Sequence, residues 1–211
     1  MKAVFAVLRA YPLLFAAVVL AAVVVQLNPG WRGTLIYDRT AIGSGEIWRL
    51  WTGHLVHFGW AHFIADVGLL AILGHALGRT HACFSRLAFA VMPLFISLCL
   101  YVFEPEMQRY AGLSALDLGM LLYLAGRGWQ RNWRDWFWPG ILAIYVIELG
   151  LEIARGGEGG GLIRFDDPSV RVATGAHLAG AAYAVAAWVV ARRRERGEDG
   201  RRQAGDGKPK D

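Results

Sequence analysis

The sequence has only two cysteines, Cys83 and Cys99, and it lacks two motifs that define common enzyme sites. If both cysteines lie on one helix, their separation along the chain puts them about 24 Å apart, too far for a disulfide. They therefore do not indicate the redox compartment. The sequence contains no His-Glu-x-x-His, which excludes the helical zinc-protease motif. The glycine-rich run at 156–161 is not followed by Lys and Ser or Thr, which excludes a phosphate-binding loop.

Hydrophobic residues dominate what is present. They make up 55% of the 211 residues, and the mean hydropathy is +0.35. This is too apolar for a water-soluble domain of this length and is typical of a chain with several membrane spans. The net charge of +5 lies in short loops and in the tail after Ala191, so nucleic-acid binding is not indicated.

Six apolar stretches predict six membrane-spanning helices, at 11–27, 55–77, 84–103, 113–126, 136–154 and 172–191. A span needs about 20 residues. The fourth stretch is shorter, so we expect it to begin below the membrane surface, after irregular backbone that protein covers. The first stretch is predicted to be a retained helix, because no clear small-x-small cleavage site follows it. We predict an all-α membrane protein, with a six-helix bundle at 1–191 and a disordered basic tail at 192–211.

The distribution of Lys and Arg predicts the orientation of these spans. With the N-terminus inside, the inner segments carry fifteen of these residues and the outer loops carry seven. Inner loops of membrane proteins are enriched in positive charge, so we predict that both termini are cytoplasmic. Ser114, His177 and the segment 54–66 then all lie toward the outer ends of spans four, six and two.

Ser114 and His177 are the first candidates for a functional site. Polar residues in lipid are costly and are functional candidates by default. A serine hydroxyl is a poor nucleophile without a base, and His177 is the natural candidate for that base. Small residues share a face with His177, namely Ala173, Gly180, Ala181 and Ala184. They would let another helix approach closely enough to bring the two side chains into hydrogen-bonding distance.

A third polar group lies in the segment from His54 to Asp66. His62 and Asp66 are four residues apart and therefore share a helix face. An acyl-transfer site needs donors for the developing oxyanion, and His62 can donate from a ring nitrogen. Asp66 can donate only when protonated, which burial favours. An alternative is a zinc site made of His57, His62 and Asp66, and His54 and His57 could also be interfacial polar residues.

Two further carboxylates remain open to interpretation. Asp117 follows Ser114 by three residues, so it either stabilises the first turn of its helix or contacts substrate in the cleft. Glu148 lies deep in the fifth span, where we expect it to face protein rather than lipid. The sequence assigns it no role.

Together these residues resemble the rhomboid family of intramembrane serine proteases. That family has His-xxx-Asn on its second span, Gly-x-Ser-Gly at the start of its fourth, and a catalytic His followed by small residues on its sixth. The corresponding residues here are His62, Gly112-Leu-Ser114 and Ala176-His177-Leu-Ala-Gly180. Asp66 stands in place of the Asn, and Ala115 in place of the last Gly. Thr52-Gly-His-Leu-Val-His57 and Gly112-Leu-Ser-Ala-Leu-Asp117 resemble more narrowly the rhombosortase branch.

The resemblance implies a function and a set of roles. Ser114 is expected to be the nucleophile and His177 the general base, with His62 and the Ser114 backbone N–H in the oxyanion hole. Asp66 is expected to support that hole, and Gly112, His57 and Asp117 are candidates for the substrate cleft. The clients would be membrane proteins with a C-terminal transmembrane sorting tail carrying Gly-Gly, cleaved toward the periplasmic face of a bacterial inner membrane. No cofactor or metal is expected.

Two other functions remain open. The protein could be an inactive relative that holds clients without cleaving them, since Asp66 and Ala115 depart from the family pattern. It could also be a metal-dependent membrane hydrolase that uses His57, His62 and Asp66.

Overall fold

The structure is a computed structural model, and it describes residues 12–78, 80–154 and 173–206 as a mainly helical bundle. The helices are α1 (Leu13–Leu27), α2 (Arg32–Leu35), α3 (Arg39–Gly43), α4 (Arg49–Thr52), α5 (Trp60–Leu77), α6 (Ala82–Ala90), α7 (Met92–Phe103), α8 (Ser114–Arg131), α9 (Phe137–Ala154) and α10 (Thr174–Asp206). Two 3₁₀ turns cover Pro29–Trp31 and Gly53–Leu55, and strands β1 (Tyr37–Asp38) and β2 (Arg109–Tyr110) pair antiparallel.

Every predicted apolar stretch contains a helix, and the all-α membrane architecture is confirmed. In the described part of the chain, three segments are long and apolar enough to cross a membrane by themselves: Trp60–Leu77, Ala82–Phe103 and Thr174–Glu198. The segments Leu13–Leu27 and Pro29–Leu35 meet the same criteria together but are bent by 97°. The apolar part of α9, Phe137–Leu151, is shorter. The count of six spans therefore stays a prediction.

The bend after α1 follows from Asn28-Pro29-Gly30. The Asn28 side-chain amide donates to the carbonyl of Val24 at 2.6 Å, which satisfies one of the last carbonyls of α1. Pro29 has no N–H to continue the helical ladder. The chain therefore leaves α1 in a 3₁₀ turn and runs across the end of the bundle.

The fourth apolar stretch begins after irregular backbone, as predicted. Residues 104–113 are not helical, and their only regular pairing among described residues is the short ladder of β2 with β1. Tyr110, Ala111 and Leu113 are all buried. Protein side chains thus cover the non-helical backbone immediately before Ser114, which is the condition under which such backbone is tolerated at membrane depth.

Helices α8 and α10 are in very close contact through two glycines. A Cβ on Gly119 would lie 2.7 Å from the carbonyl oxygen of Gly180, and a Cβ on Gly180 would lie 2.2 Å from the carbonyl oxygen of Ala115. Backbone atoms cannot move aside as a flexible side chain can, so only glycine fits at these positions. The small-residue face predicted around His177 is therefore the face that packs against α8.

The last helix extends past the predicted end of the sixth span, into residues for which we predicted a disordered tail (192–211). Helix α10 continues without interruption to Asp206, so residues 192–206 extend the last helix as one rod. Helix propagation from an existing helix needs no new nucleus, and Arg, Glu and Gln are good helix formers. Glu195 also pairs with both terminal nitrogens of Arg127 on α8, which fixes this end of the bundle. Residues 207–211 lie outside the described part.

We expect Gly180→Leu to destabilise the protein, because the new side chain would collide with backbone of α8. Overpacking typically lowers the free energy of unfolding by about 1–3 kcal/mol, and a backbone collision places this variant at or above the upper end. Gly150→Leu is the matched control, because nothing lies within 4 Å of a Cβ at that position on α9. Thermal unfolding in detergent checks the prediction, and equal midpoints for the two variants would contradict it.

Candidate active site

Ser114 is the first residue of α8 and follows a turn that requires glycine. Gly112 has φ +116°, in the left-handed region that side-chain-bearing residues rarely adopt. A Cβ there would also lie 2.6 Å from His62 Nε2 and 3.1 Å from Asp66 Oδ2. Gly112, a predicted cleft residue, thus lets the backbone pass directly beside two other predicted site residues and turns it into α8.

The structure brings Ser114 and His177 together from two helices. Ser114 Oγ lies 3.0 Å from His177 Nε2, a hydrogen-bonding distance across 63 residues of sequence. His177 is buried on α10, and Ser114 is half-buried. The backbone carbonyl of His177 accepts a hydrogen bond from the Tyr145 hydroxyl of α9 at 3.3 Å. The close packing of α8 and α10 therefore places the hydroxyl and the imidazole one helical turn from the glycine contact.

Asp66 caps the helix that carries Ser114. Its Oδ2 accepts the backbone N–H of Leu113 at 2.8 Å and that of Ser114 at 3.1 Å. The first N–H groups of a helix have no partner within the helix, and no side chain of α8 itself satisfies them here. A carboxylate at a helix N-terminus is also favoured by the helix dipole. Asp66 of α5 thus acts as an N-cap supplied by another helix.

This placement bears on how Asp66 could support an oxyanion hole. From the sequence, Asp66 was expected to be a donor only in its protonated form. Instead, the carboxyl oxygen that faces the site accepts hydrogen bonds from two backbone N–H groups. Accepting from several donors stabilises the ionised carboxylate rather than the protonated acid. Asp66 therefore occupies the same donors that an oxyanion at Ser114 would use.

Two histidine rings complete the surroundings of Asp66. His62 Nε2 lies 3.1 Å from Asp66 Oδ2, one helical turn away on α5. The Phe58 backbone N–H points to His62 Nδ1 at 3.5 Å, so Nδ1 accepts and Nε2 carries the hydrogen that points to Asp66. His57 Nε2 lies 3.3 Å from the same oxygen, and the His57 side chain is completely buried. The predicted group of His57, His62 and Asp66 is therefore assembled in one place.

Asp117 is buried in the first turn of α8, close behind the nucleophile candidate. Its exposed fraction is 0%, and neither carboxyl oxygen has a hydrogen-bond partner in the described structure. The helix dipole at the first turn favours the ionised carboxylate, whereas complete burial without a partner disfavours it. Asp117 thus lies inside the protein behind Ser114, and its role as a polar contact in the substrate cleft stays a prediction.

His54 belongs to the core rather than to the membrane interface. Its Nε2 lies 3.1 Å from both the Pro93 carbonyl and Ser97 Oγ, and Ser97 in turn donates to the Leu50 carbonyl. Burial lowers the pKa of His54 to about 4, so the ring is neutral at pH 7. The interfacial interpretation of His54 is thus wrong. The sequence contained no signal for this bond, because its partner Ser97 looks like an ordinary residue of an apolar helix.

The polar residues of the site do not form a metal-binding arrangement in the structure. Among residues 12–78, 80–154 and 173–206, no three His, Cys, Asp or Glu side chains are placed so that they could hold a metal ion. His62 Nε2 and His57 Nε2 lie 3.1 Å and 3.3 Å from the same Asp66 oxygen, and His57 Nε2 makes no hydrogen bond in the described structure. Glu148, half-buried on α9, is not part of this cluster.

Comparison with protein families places this membrane bundle among the intramembrane serine proteases, because the Rhomboid domain matches residues 44–194, which include α5 to α8 and the site residues on α10. The chain therefore belongs to the rhomboid family, whose members act on membrane proteins within the bilayer. Comparison with curated proteins gives no significant match.

We expect Asp66→Ala to lower the stability of the protein strongly. The variant leaves the buried Leu113 N–H and the half-buried Ser114 N–H without an acceptor, and a fully buried N–H left unpaired costs about 1–3 kcal/mol. Asp66→Asn keeps an acceptor oxygen and should lose less. Asp38→Ala is the matched control, because Asp38 caps the short helix α3 by accepting the Ala41 N–H at 3.1 Å, away from Ser114. Its loss should be about 1 kcal/mol. Thermal unfolding that ranks Asp38→Ala as the more damaging variant would contradict the capping role.

Proposed function

We propose that this protein is an intramembrane serine endopeptidase in which Ser114 is the nucleophile and His177 the general base. The contact of 3.0 Å between Ser114 Oγ and His177 Nε2 carries the proposal. With the neutral ring protonated on Nδ1, Nε2 accepts the hydroxyl proton as Oγ attacks the scissile carbonyl. The same nitrogen then returns that proton to the leaving amine. Water then hydrolyses the ester on Ser114: His177 Nε2 takes a proton from the attacking water and returns it to Ser114 Oγ as the ester bond breaks.

Stabilisation of the tetrahedral intermediate would come from the donors now held by Asp66. The Ser114 N–H is adjacent to the attacking oxygen, and His62 Nε2–H points to the same place. Donors that are fixed before the reaction need no reorganisation when charge develops, which is the main electrostatic advantage of an oxyanion hole. The carboxylate keeps these donors oriented in the resting state. It must release at least one of them when the oxyanion forms.

The substrate would be a transmembrane segment or its edge, entering from the lipid toward the periplasmic ends of α5, α8 and α10. A helical substrate protects its carbonyls, so it must unwind locally, and glycine makes this easier. The rhombosortase-like residues Gly112-Leu-Ser-Ala-Leu-Asp117 support clients with a C-terminal Gly-Gly sorting tail. In this proposal the protein lies in a bacterial inner membrane with both termini in the cytoplasm.

One observation favours a second candidate, an inactive relative that holds clients without cleaving them. Asp66 places a carboxylate on the Leu113 and Ser114 N–H groups, and a negative charge there opposes a second negative charge on the substrate oxygen. The two candidates differ in whether the serine reacts at all. Covalent labelling of the serine therefore distinguishes them.

We expect a fluorophosphonate probe to label the detergent-solubilised protein at Ser114. Ser114→Ala should abolish labelling, and His177→Ala should slow it by at least about 1000-fold, because the hydroxyl loses its base. Ser44→Ala is the matched control, since Ser44 is exposed and its hydroxyl donates to the Thr40 carbonyl rather than to a histidine, and it should label like wild type. Absence of labelling in folded wild-type protein would favour the client-binding candidate.

Cleavage of a client protein should depend on the same two residues as labelling does. In cells that co-express a protein with a Gly-Gly sorting tail, we expect wild type to shorten the client and Ser114→Ala and His177→Ala to leave it intact. His75→Ala is the matched histidine control, because His75 is exposed near the other end of α5. Adding a strong chelator to membranes should leave the rate unchanged. Loss of cleavage with the chelator would favour the metal-dependent alternative.

A further inference from the structure

The end of the bundle opposite Ser114 contains a large cavity between α8, α9 and α10. Its volume is about 840 Å³, and its walls are mainly apolar. Four tryptophans line it, Trp129, Trp133, Trp136 and Trp188. Gln130, also in the lining, lies near the last turn of α8, about 24 Å along the helix from Ser114. The cavity is therefore separate from the candidate active site, and neither Ser114 nor His177 contributes to it.

Two arginines are held at this cavity by aromatic rings. The guanidinium carbon of Arg134 lies 5.2 Å from the centre of the Trp133 ring, and that of Arg192 lies 5.6 Å from the Trp188 ring. Both arginines line the cavity. Within the described residues neither has a carboxylate partner, whereas Arg127 at the same end pairs with Glu195. Cation–π contact orients a guanidinium but leaves its N–H groups able to bind an anion.

A hydrogen bond between two lining residues joins α10 to α8 beside the two arginines. Trp188 Nε1 donates to Gln130 Oε1 at 3.1 Å, which links α10 to α8 beside the cavity. Asp135, the nearest carboxylate along the chain to Arg134, accepts the Phe137 N–H at 3.0 Å and does not line the cavity. The cavity thus combines apolar walls with two positive groups and no acidic group in its lining.

We propose that this cavity binds one anionic glycerophospholipid of the surrounding membrane. An acyl chain would occupy the tryptophan-lined volume, and the headgroup phosphate would accept hydrogen bonds from Arg134 and Arg192. Basic pockets between helices at the cytoplasmic side of membrane proteins are suited to anionic headgroups. A soluble anion would leave the apolar walls unused. A peptide segment would place backbone polar groups against those walls without partners.

Lipid-dependent unfolding of the full chain tests this site. The protein is purified in neutral detergent, and its unfolding temperature is measured with rising amounts of phosphatidylglycerol or of phosphatidylcholine with the same acyl chains. Phosphatidylglycerol should raise the midpoint by several degrees more than phosphatidylcholine. Each arginine near an anionic headgroup contributes about 1 kcal/mol, which is a factor of about 5.4 in affinity. For Arg134→Gln/Arg192→Gln the two factors multiply, so the amount of phosphatidylglycerol needed for half the shift should rise about 30-fold.

Matched variants separate a specific site from general charge attraction. Arg131→Gln/Arg193→Gln removes the same charge from exposed positions at the same end, outside the cavity lining, and should keep the phosphatidylglycerol effect. Gly126→Met places a side chain inside the cavity, and the added Cβ meets Trp188 at an ordinary 3.6 Å, so the variant should fold but show a weaker effect.

Four results would overturn the proposal. The first is equal stabilisation by phosphatidylglycerol and phosphatidylcholine, and the second is an equal loss in both arginine pairs. The third is an equal shift with inorganic phosphate alone, which would indicate a site for a free anion. The fourth is retention of the full lipid effect by Gly126→Met, because that side chain occupies part of the space proposed for the acyl chain.

Discussion

The close approach of α8 and α10 is the contact on which the candidate site depends. Gly119 and Gly180 let the two backbones come together, and the next turn of each helix toward the site carries Ser114 and His177. In lipid, helices are not driven together by the hydrophobic effect, so small residues that allow close packing determine which faces meet. The distance between hydroxyl and imidazole is thus a consequence of backbone packing rather than of any attraction between the two side chains.

Asp66 links this packing to the chemistry of the site. One of its carboxyl oxygens lies within 3.3 Å of His57, His62 and the two N–H groups at the start of α8. The interaction stabilises the turn that presents Ser114, because it satisfies donors that would otherwise be buried without a partner. It also places a negative charge where the reaction would create another. The same interaction therefore stabilises the resting fold and opposes the transition state, unless the carboxylate moves.

Much of this arrangement was predictable from residue types and spacing. The apolar stretches predicted the helices, and the four-residue spacing of His62 and Asp66 placed them on one face of α5. The shortness of the fourth stretch predicted the covered irregular backbone before Ser114. Other features depend on contacts that residue types do not show. The charge-rich tail was predicted to be disordered, whereas α10 runs on to Asp206 and Glu195 pairs with Arg127. His54 looked interfacial because its partner Ser97 lies 43 residues away.

The sequence by itself determined the class of protein, the positions of its helices and the small set of polar residues worth considering. These depend on local properties: hydrophobicity, helical periodicity and the high cost of polar groups in lipid. Only the tertiary structure decided which groups face one another. Whether Asp66 donates or accepts depends on the atoms that reach it from residues 113 and 114, nearly fifty positions further along the chain. No local pattern contains that information, because the direction of a hydrogen bond depends on how separate helices pack.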